Sequence, residues 1–282
     1  VTEAHQYPRL KWIQTHTAGV DKLADTPIWR QADVLISSLN GVHATPIAEY
    51  ALAAMLAFRW KIRKMLAYQQ RTEWAKDRWE EFTGPELNGS TLGIIGYGAI
   101  GRELARLARA LHMRIVAVNR TGERTPQRTY AEPGIGDPTA AYPDAMYRTD
   151  QLLAALPQCD FVAVAAPFTP DTRHLINAAA LAAMKPTAVL VNIARGPLVD
   201  TAALVAALRQ QQIAGAMLDV FEQEPLPADS PLWQLDNVIL SPHISGFTHK
   251  YDDRASDLFA ENLRRYLAGA PLLNSVNRET GY

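Results

Sequence analysis

The sequence predicts an α/β protein with a doubly wound parallel sheet, inserted into a second, smaller α/β lobe made from both chain ends. Three observations carry this prediction: short apolar runs alternate with helical segments, the runs lack polar–apolar alternation, and the first run leads into a glycine-rich turn. Continuous apolarity is typical of strands covered on both faces, and repeated strand–helix alternation favours the doubly wound arrangement. The predicted strands of this sheet are 91–96, 114–119, 161–167, 188–194, 215–221 and 238–243.

The helices and loops of this sheet follow from spacing and capping signals. Apolar residues recur at helical spacing over 99–113, between the first two strands. Asp200 predicts the N-cap of a helix over 201–211. The segment 121–147 contains four prolines and three glycines, so we expect a loop there.

Both ends of the chain contribute to the smaller lobe. Residues 10–17 and 34–39 have the character of strands. A long helix is predicted over 46–70, with Pro46 in its first turn, and a second helix over 252–268. We expect these two helices to cross between the lobes.

Charge and composition exclude several classes of partner. A formal net charge of -1 gives no field that draws the chain to nucleic acid or to an anionic membrane. The longest nearly apolar stretch, 48–58, is far shorter than the ~20 residues that a membrane span requires. Cys159 is the single cysteine, which excludes an internal disulfide and favours a reducing, cytoplasmic environment. The histidines show no ligand spacing, so no metal site is predicted.

A G-x-G-x-x-G motif follows the first strand of the sheet and opens the next helix, and this context gives the motif its meaning. The first glycine permits a tight turn, the second lets a pyrophosphate approach the backbone, and the third lets the helix pack on the strand. The helix N-terminus presents N–H groups to the phosphate. We therefore expect a Rossmann-type cofactor domain. The motif residues are Gly96, Tyr97, Gly98, Ala99, Ile100 and Gly101.

The end of the next strand bears on the choice of cofactor. A site selective for NAD usually carries Asp or Glu there, which binds the ribose hydroxyls. This chain has Asn119, Arg120 and Thr121, and no carboxylate before Glu123. Arg120 with Thr121, and Arg124 as a further candidate, suit a 2′-phosphate through charge-assisted hydrogen bonds. We therefore expect NADP(H); the alternative is that Arg120 is a solvated loop residue and that NAD(H) is used.

Three segments fall at the carboxyl ends of predicted strands, where ligands of such sheets bind. They are VNIARGPLVD (191–200), LDVFEQEPLP (218–227) and SPHISG (241–246). Together with the glycine motif, TAGVDKL (17–23) and ATPIAEYALAAMLA (44–57), they resemble the D-isomer-specific 2-hydroxyacid dehydrogenase family, from about Leu10 to the C-terminus. We expect 1–58 and 253–282 to form the substrate domain, and 59–252 the dinucleotide-binding domain.

The resemblance implies that Arg195, Glu224 and His243 are the catalytic residues. The planar guanidinium of Arg195 suits a 2-oxo acid, because it can bind the carboxylate and polarise the carbonyl. His243 would donate a proton to the carbonyl oxygen during reduction, and would accept one in the reverse direction. Glu224 would orient the imidazole ring and favour its charged form. Glu222, two residues earlier, is the alternative acid, and both glutamates as solvated loop residues are a second alternative.

The resemblance also implies further contacts. Asp219 matches the position that binds the nicotinamide amide, with a loop-capping aspartate as the alternative. Ala18 and Gly19 match the place where backbone N–H groups hold the substrate carboxylate. Besides Arg195 and His243, the remaining cofactor contacts in this prediction are Ala166, Pro167, Thr172, Ile193, Ala194 and Gly246.

We therefore expect an enzyme that transfers a hydride between NAD(P)H and a small 2-oxo or 2-hydroxy acid, of the glyoxylate/hydroxypyruvate reductase type. The resemblance implies a homodimer paired through the cofactor lobe. One alternative is an NAD-dependent phosphoglycerate-type dehydrogenase, and another is a non-catalytic dinucleotide-sensing protein on the same fold. Formate dehydrogenase chemistry is disfavoured, because that relative carries an amide where this chain has Glu224. Family members usually begin with a further strand–helix–strand–helix stretch, which this sequence lacks before 10–17.

Overall fold

The computed structural model describes residues 7–281, so residues 1–6 of the predicted substrate domain and Tyr282 lie outside the described part of the chain. The strands are β1 (Trp12–Gln14), β2 (Leu35–Ser37), β3 (Thr91–Ile95), β4 (Arg114–Asn119), β5 (Ala145–Arg148), β6 (Phe161–Val164), β7 (Val189–Asn192), β8 (Gly215–Leu218) and β9 (Val238–Leu240). The helices are α1 (Ala44–Arg59), α2 (Ile62–Gln70), α3 (Arg78–Phe82), α4 (Ala99–Ala110), α5 (Leu152–Ala155), α6 (Ala178–Ala183), α7 (Thr201–Arg209) and α8 (Tyr251–Leu267).

The main sheet has seven strands in the order β5-β4-β3-β6-β7-β8-β9, and all neighbours are parallel. Alternate residues of its strands enter two separate hydrophobic cores. Leu92 and Ile94 pack with residues of α1 and α4 on one face. Val162 and Val164 pack with residues of α5, α6 and α7 on the other face. Because helices cover both faces, the central strands are apolar throughout, and the predicted doubly wound α/β class is confirmed.

The structure corrects two predicted elements. The single helix over 46–70 is wrong: Lys61 has a φ of 50°, in the left-handed region that interrupts a helix, so α1 and α2 are separate. The prediction of a loop throughout 121–147 is wrong at its end, where β5 begins at Ala145. β5 is a four-residue edge strand that is only partly buried, so it lacks the apolar run that marks the other strands.

Both ends of the described chain meet in the smaller lobe. β1 and β2 form a two-stranded parallel sheet, and Val276 N–H donates to Ile36 O at 2.8 Å beside it. α8 covers this sheet: Trp12 stacks on Phe259 with ring centroids 5.5 Å apart, and Asn262 Nδ2 donates to Gln14 Oε1 at 2.9 Å. The second lobe is thus assembled from segments far apart in sequence.

α1 belongs by packing to the main sheet rather than to the smaller lobe alone. Its buried residues Ile47, Ala51 and Met55 share one core with β3, β4, β7 and α4. The domain boundaries at 58/59 and 252/253 stay a prediction. None of the helices within residues 7–281 combines the length and apolarity needed to cross a membrane.

Candidate active site

The glycine turn between β3 and α4 is tight at one residue and open at the next. Gly96 has a φ of +101°, and a Cβ there would lie 2.4 Å from the backbone nitrogen of Ala166. At Gly98 a Cβ would meet no atom within 4 Å. α4 begins at Ala99 without a side-chain N-cap hydrogen bond, so its first N–H groups remain available to an anion. At Gly101 a Cβ would lie 2.3 Å from Gly96 O, so the helix packs closely on the strand. These residues fit a dinucleotide pyrophosphate beside Gly98.

Tyr97, inside the same motif, anchors a neighbouring segment. Its side chain is buried, and its hydroxyl donates to Asp137 Oδ2 at 2.6 Å. Burial, and then the hydrogen bond to Asp137, raise the pKa of Tyr97 above its ordinary value. Arg102 donates from Nη1 to Asp137 O and from Nη2 to Thr125 O, each at 2.6 Å. These bonds hold the 121–147 segment against α4, and a contact of Tyr97 with the cofactor stays a prediction.

The turn after β4 is organised by the Asn119 side chain. Asn119 Oδ1 accepts hydrogen bonds from the N–H groups of Thr121 at 3.1 Å and of Gly122 at 2.6 Å. Among the described residues, none accepts a hydrogen bond from the exposed side chain of Arg120. Arg124 instead donates from Nη1 to Ala140 O at 2.6 Å and also bonds a second loop carbonyl. Arg124 therefore braces the loop, while Arg120 is available to a ligand.

The predicted His–Glu pair forms between the ends of β8 and β9. His243 Nδ1 lies 2.8 Å from Glu224 Oε2. Glu224 Oε1 accepts a hydrogen bond from Phe221 N–H at 3.0 Å, which fixes the carboxylate. His243 has a φ of 55°, in the left-handed region of the backbone. Within residues 7–281, no protein group bonds Nε2 of His243, which leaves that atom for a substrate.

Glu222, the competing acid, has a different partner. Its Oε1 lies 2.7 Å from His174 Nε2, on the loop after β6. Partial burial of Glu222 opposes ionisation, but hydrogen bonds from Thr201 and His174 outweigh it and lower the pKa of Glu222. Glu222 and Glu224 thus contact different histidines, and Glu224 is the one that contacts His243.

Arg195 lies at the end of β7, against the loop of the smaller lobe. Its Nη1 donates to Ala194 O at 2.8 Å, and its Nε lies 3.5 Å from Asp21 Oδ1. A Cβ at Gly19 would lie 2.1 Å from Arg195 Nη2, so a side chain there would displace the guanidinium from this position. Ala18 is the neighbouring residue in that loop. The structure therefore brings Arg195 and the predicted carboxylate-binding backbone together.

Asp219 is fully buried and ties down the loop that carries His243. Its Oδ1 accepts from Ser241 Oγ at 2.7 Å and from Ile244 N–H at 2.9 Å, and its Oδ2 accepts from Ser245 N–H at 2.9 Å. Tyr50, on α1, donates in turn to Ser241 Oγ. This is the loop-anchoring role given above as the alternative, and a contact of Asp219 with the nicotinamide stays a prediction.

Residues to which the sequence analysis gave no role lie beside Gly246. His43, the residue before α1, has Nδ1 3.3 Å from Gly246 O and stacks on Tyr251, with centroids 4.9 Å apart. Tyr251 donates to His16 O at 2.6 Å. Burial lowers the pKa of His43, and the charges of Arg195 and His16 act in the same direction. The sequence contained one indication of their position: His16 and His43 directly precede the family-like segments 17–23 and 44–57.

The remaining predicted contacts lie at strand ends. Ala166 touches Gly96, as described, and Pro167 O accepts from Thr172 Oγ1 at 2.9 Å. Ile193 and Ala194 follow β7 directly and are buried. Within the described part of the chain, no group of three or more His, Cys, Asp or Glu side chains is arranged to hold a metal ion.

A glycine turn with open space beside it, an arginine and a His–Glu pair lie at adjoining strand ends. This arrangement is that of an NAD(P)-dependent oxidoreductase that acts on a 2-hydroxy or 2-oxo acid. The chain belongs to the D-isomer-specific 2-hydroxyacid dehydrogenase family, because the sequence profile of that family's NAD-binding domain matches residues 52–245.

Relatives and solved structures extend the match over nearly the whole chain. (S)-Sulfolactate dehydrogenase of Chromohalobacter salexigens is 35% identical over 262 residues, which cover 93% of this chain and 79% of that protein. Glyoxylate reductase of Pyrococcus furiosus is 37% identical over 278 residues, 96% of this chain and 77% of that protein. The NADPH-dependent glyoxylate/hydroxypyruvate reductase from Sinorhizobium meliloti, solved with NADP and sulfate, has a TM-score of 0.82 at 27% identity, covering 100% of this chain and 84% of that one.

Proposed function

We propose that this 2-hydroxyacid dehydrogenase works as an NADPH-linked reductase of a small 2-oxo acid, such as glyoxylate or hydroxypyruvate. The observation that carries the proposal is the contact of 2.8 Å between His243 Nδ1 and Glu224 Oε2, beside an arginine that faces the substrate loop. The glyoxylate reductase relative supports the substrate size, and the Sinorhizobium reductase supports the cofactor.

Each catalytic residue has a defined task in this proposal. Arg195 binds the substrate carboxylate and polarises the carbonyl, aided by the backbone N–H groups of Ala18 and Gly19. When bound, the nicotinamide cofactor supplies the hydride. His243 donates a proton from Nε2 to the carbonyl oxygen as negative charge develops there. Glu224 holds the ring through Nδ1, so that Nε2 faces the substrate.

The preference for NADPH over NADH rests on the turn after β4. Arg120 projects from this turn without a protein partner among the described residues, and the turn holds no carboxylate before Glu123. Arg120→Asp should therefore shift the ratio of kcat/KM for NADPH and NADH toward NADH. An unchanged ratio would remove Arg120 from phosphate recognition.

A homodimer paired through the cofactor lobe is the proposed assembly. The segment of α2 and α3 exposes Trp60, Trp74 and Trp79 to 54%, 82% and 75% of their surface, and aromatic side chains are enriched at protein–protein interfaces. We expect sedimentation to give twice the 31.1 kDa chain mass. Trp74→Arg should release monomers, whereas Leu267→Arg, at the end of α8, should not. A wild-type monomer would contradict the proposal.

The deciding experiment follows nicotinamide absorbance with NADPH and with NADH. The acids are glyoxylate, hydroxypyruvate, pyruvate and sulfopyruvate, the 2-oxo acid formed from sulfolactate. Rapid NADPH oxidation with glyoxylate or hydroxypyruvate supports the proposal, and preference for sulfopyruvate would replace the substrate with that of the sulfolactate relative. Cofactor binding without turnover of any of these acids would contradict the proposed reductase activity.

A further inference from the structure

Arg148 lies beside the turn from which Arg120 projects. β5 pairs with β4 in parallel, and the register sets Arg148 opposite Asn119 at the carboxyl edge of the sheet. The stem of Arg148 packs on Gly122, where a Cβ would lie 2.7 Å from Arg148 Cγ. Thr149 Oγ1 donates to Asn119 O at 3.2 Å, which ties the two strand ends together. Arg120 and Arg148 therefore flank one short turn.

This turn is where sheets of this type recognise the adenosine ribose, and an arginine there accommodates a 2′-phosphate. Asn119 is engaged within the turn, because its Oδ1 accepts from two backbone N–H groups and its Nδ2 donates one hydrogen bond to Glu123 O at 2.9 Å. The cationic side chains beside this turn are Arg120 and Arg148.

We propose that Arg148 is a second specificity-determining residue, which binds the 2′-phosphate of NADP(H) together with Arg120. The inference rests on the proposed NADPH preference and adds a residue from a different strand. A guanidinium fork matches two phosphate oxygens at once, so Arg148 supplies a directed contact as well as charge.

The guanidinium of Arg148 is paired with the carboxylate of Asp150. Arg148 Nε lies 3.2 Å from Asp150 Oδ1, and Nη2 lies 2.9 Å from Oδ2. The two side chains are 59% and 62% exposed, and exposed ion pairs add little stability because water and salt screen them. A phosphate carries more negative charge than one carboxylate, so Arg148 exchanges Asp150 for the phosphate at small cost. Asp150 thus competes with the ligand.

Two cofactor fragments test the proposal without turnover. The compounds 2′,5′-ADP and 5′-AMP differ by the 2′-phosphate, and calorimetry measures the affinity of the full chain for each. Arg148→Ala should weaken 2′,5′-ADP about tenfold while 5′-AMP stays within about twofold. Asp150→Asn should tighten 2′,5′-ADP about threefold, because the competing charge is gone. Arg209→Ala, at the end of α7, is the matched control and should change neither affinity.

The outcomes separate this inference from the cofactor preference on which it rests. If Arg148→Ala weakens both fragments equally, Arg148 only supports the turn, and the assignment is overturned. Unchanged affinity for 2′,5′-ADP overturns it as well. If the wild-type protein binds both fragments equally, the NADPH preference itself is wrong, and that result is obtained before any substitution.

Discussion

The glycine turn offers a substitution that separates stability from cofactor binding. Replacing Gly98 by alanine adds a Cβ that meets no protein atom within 4 Å. Gly98 has a φ of −86°, which any residue adopts. Alanine also restricts the unfolded chain, so we expect the free energy of unfolding to stay unchanged or to rise by about 0.4–1 kcal/mol.

Cofactor affinity should respond in the opposite direction. The new methyl group occupies the space in which a pyrophosphate approaches the backbone N–H groups. A hydrogen bond to a charged group is worth about 1.5–3 kcal/mol. Losing one such bond corresponds to roughly 10- to 100-fold weaker binding of NADPH.

Calorimetric titration with NADPH and thermal unfolding of the same samples measure both quantities. Gly84→Ala is the matched control, because a Cβ there lies 3.7 Å from Arg59 O, an ordinary contact. Gly96→Ala should behave differently: its φ of +101° and the 2.4 Å approach to Ala166 N should destabilise the fold by at least about 1–3 kcal/mol. Wild-type affinity in Gly98→Ala, or a marked loss of its stability, would refute the reasoning.

Two further substitutions test the catalytic loop. His243→Ala should lower kcat by about 10²- to 10⁴-fold and leave the Kd of NADPH within about twofold, because it removes the proton donor; unchanged turnover in steady-state assays would take His243 out of the mechanism. Asp219→Ala leaves three donors without an acceptor, so the free energy of unfolding in urea should fall by at least about 3 kcal/mol, with exposed Asp229→Ala as the control. A shift no larger than that of the control would show that Asp219 does not anchor the loop.

The sequence predicted the main sheet because its strands have local signals, whereas the roles of Arg195, Glu224 and His243 came from the family resemblance and stay a prediction. Buried parallel strands are apolar throughout, so each one can be recognised within its own short segment. β5 was missed because an edge strand needs no such run, and the break in the long helix depends on the backbone of Lys61 rather than on proline or glycine.

Other contacts depend on packing that no local pattern encodes. The partner of Glu222, His174, comes from a loop 48 residues earlier in the chain. The position of Arg148 opposite Asn119 required the register of β5 against β4. His16 and His43 meet Tyr251 of α8 only after both chain ends fold together.

The two His–Glu pairs also mean that Glu222 is already engaged and is not a spare partner for His243. Glu222 is only two residues from Glu224, yet His174 and Thr201 already hold its carboxylate. A variant that lacks Glu224 could use Glu222 in its place only by breaking the contact of Glu222 with His174. Two glutamates that are close in sequence are therefore not interchangeable, because each one contacts a different histidine.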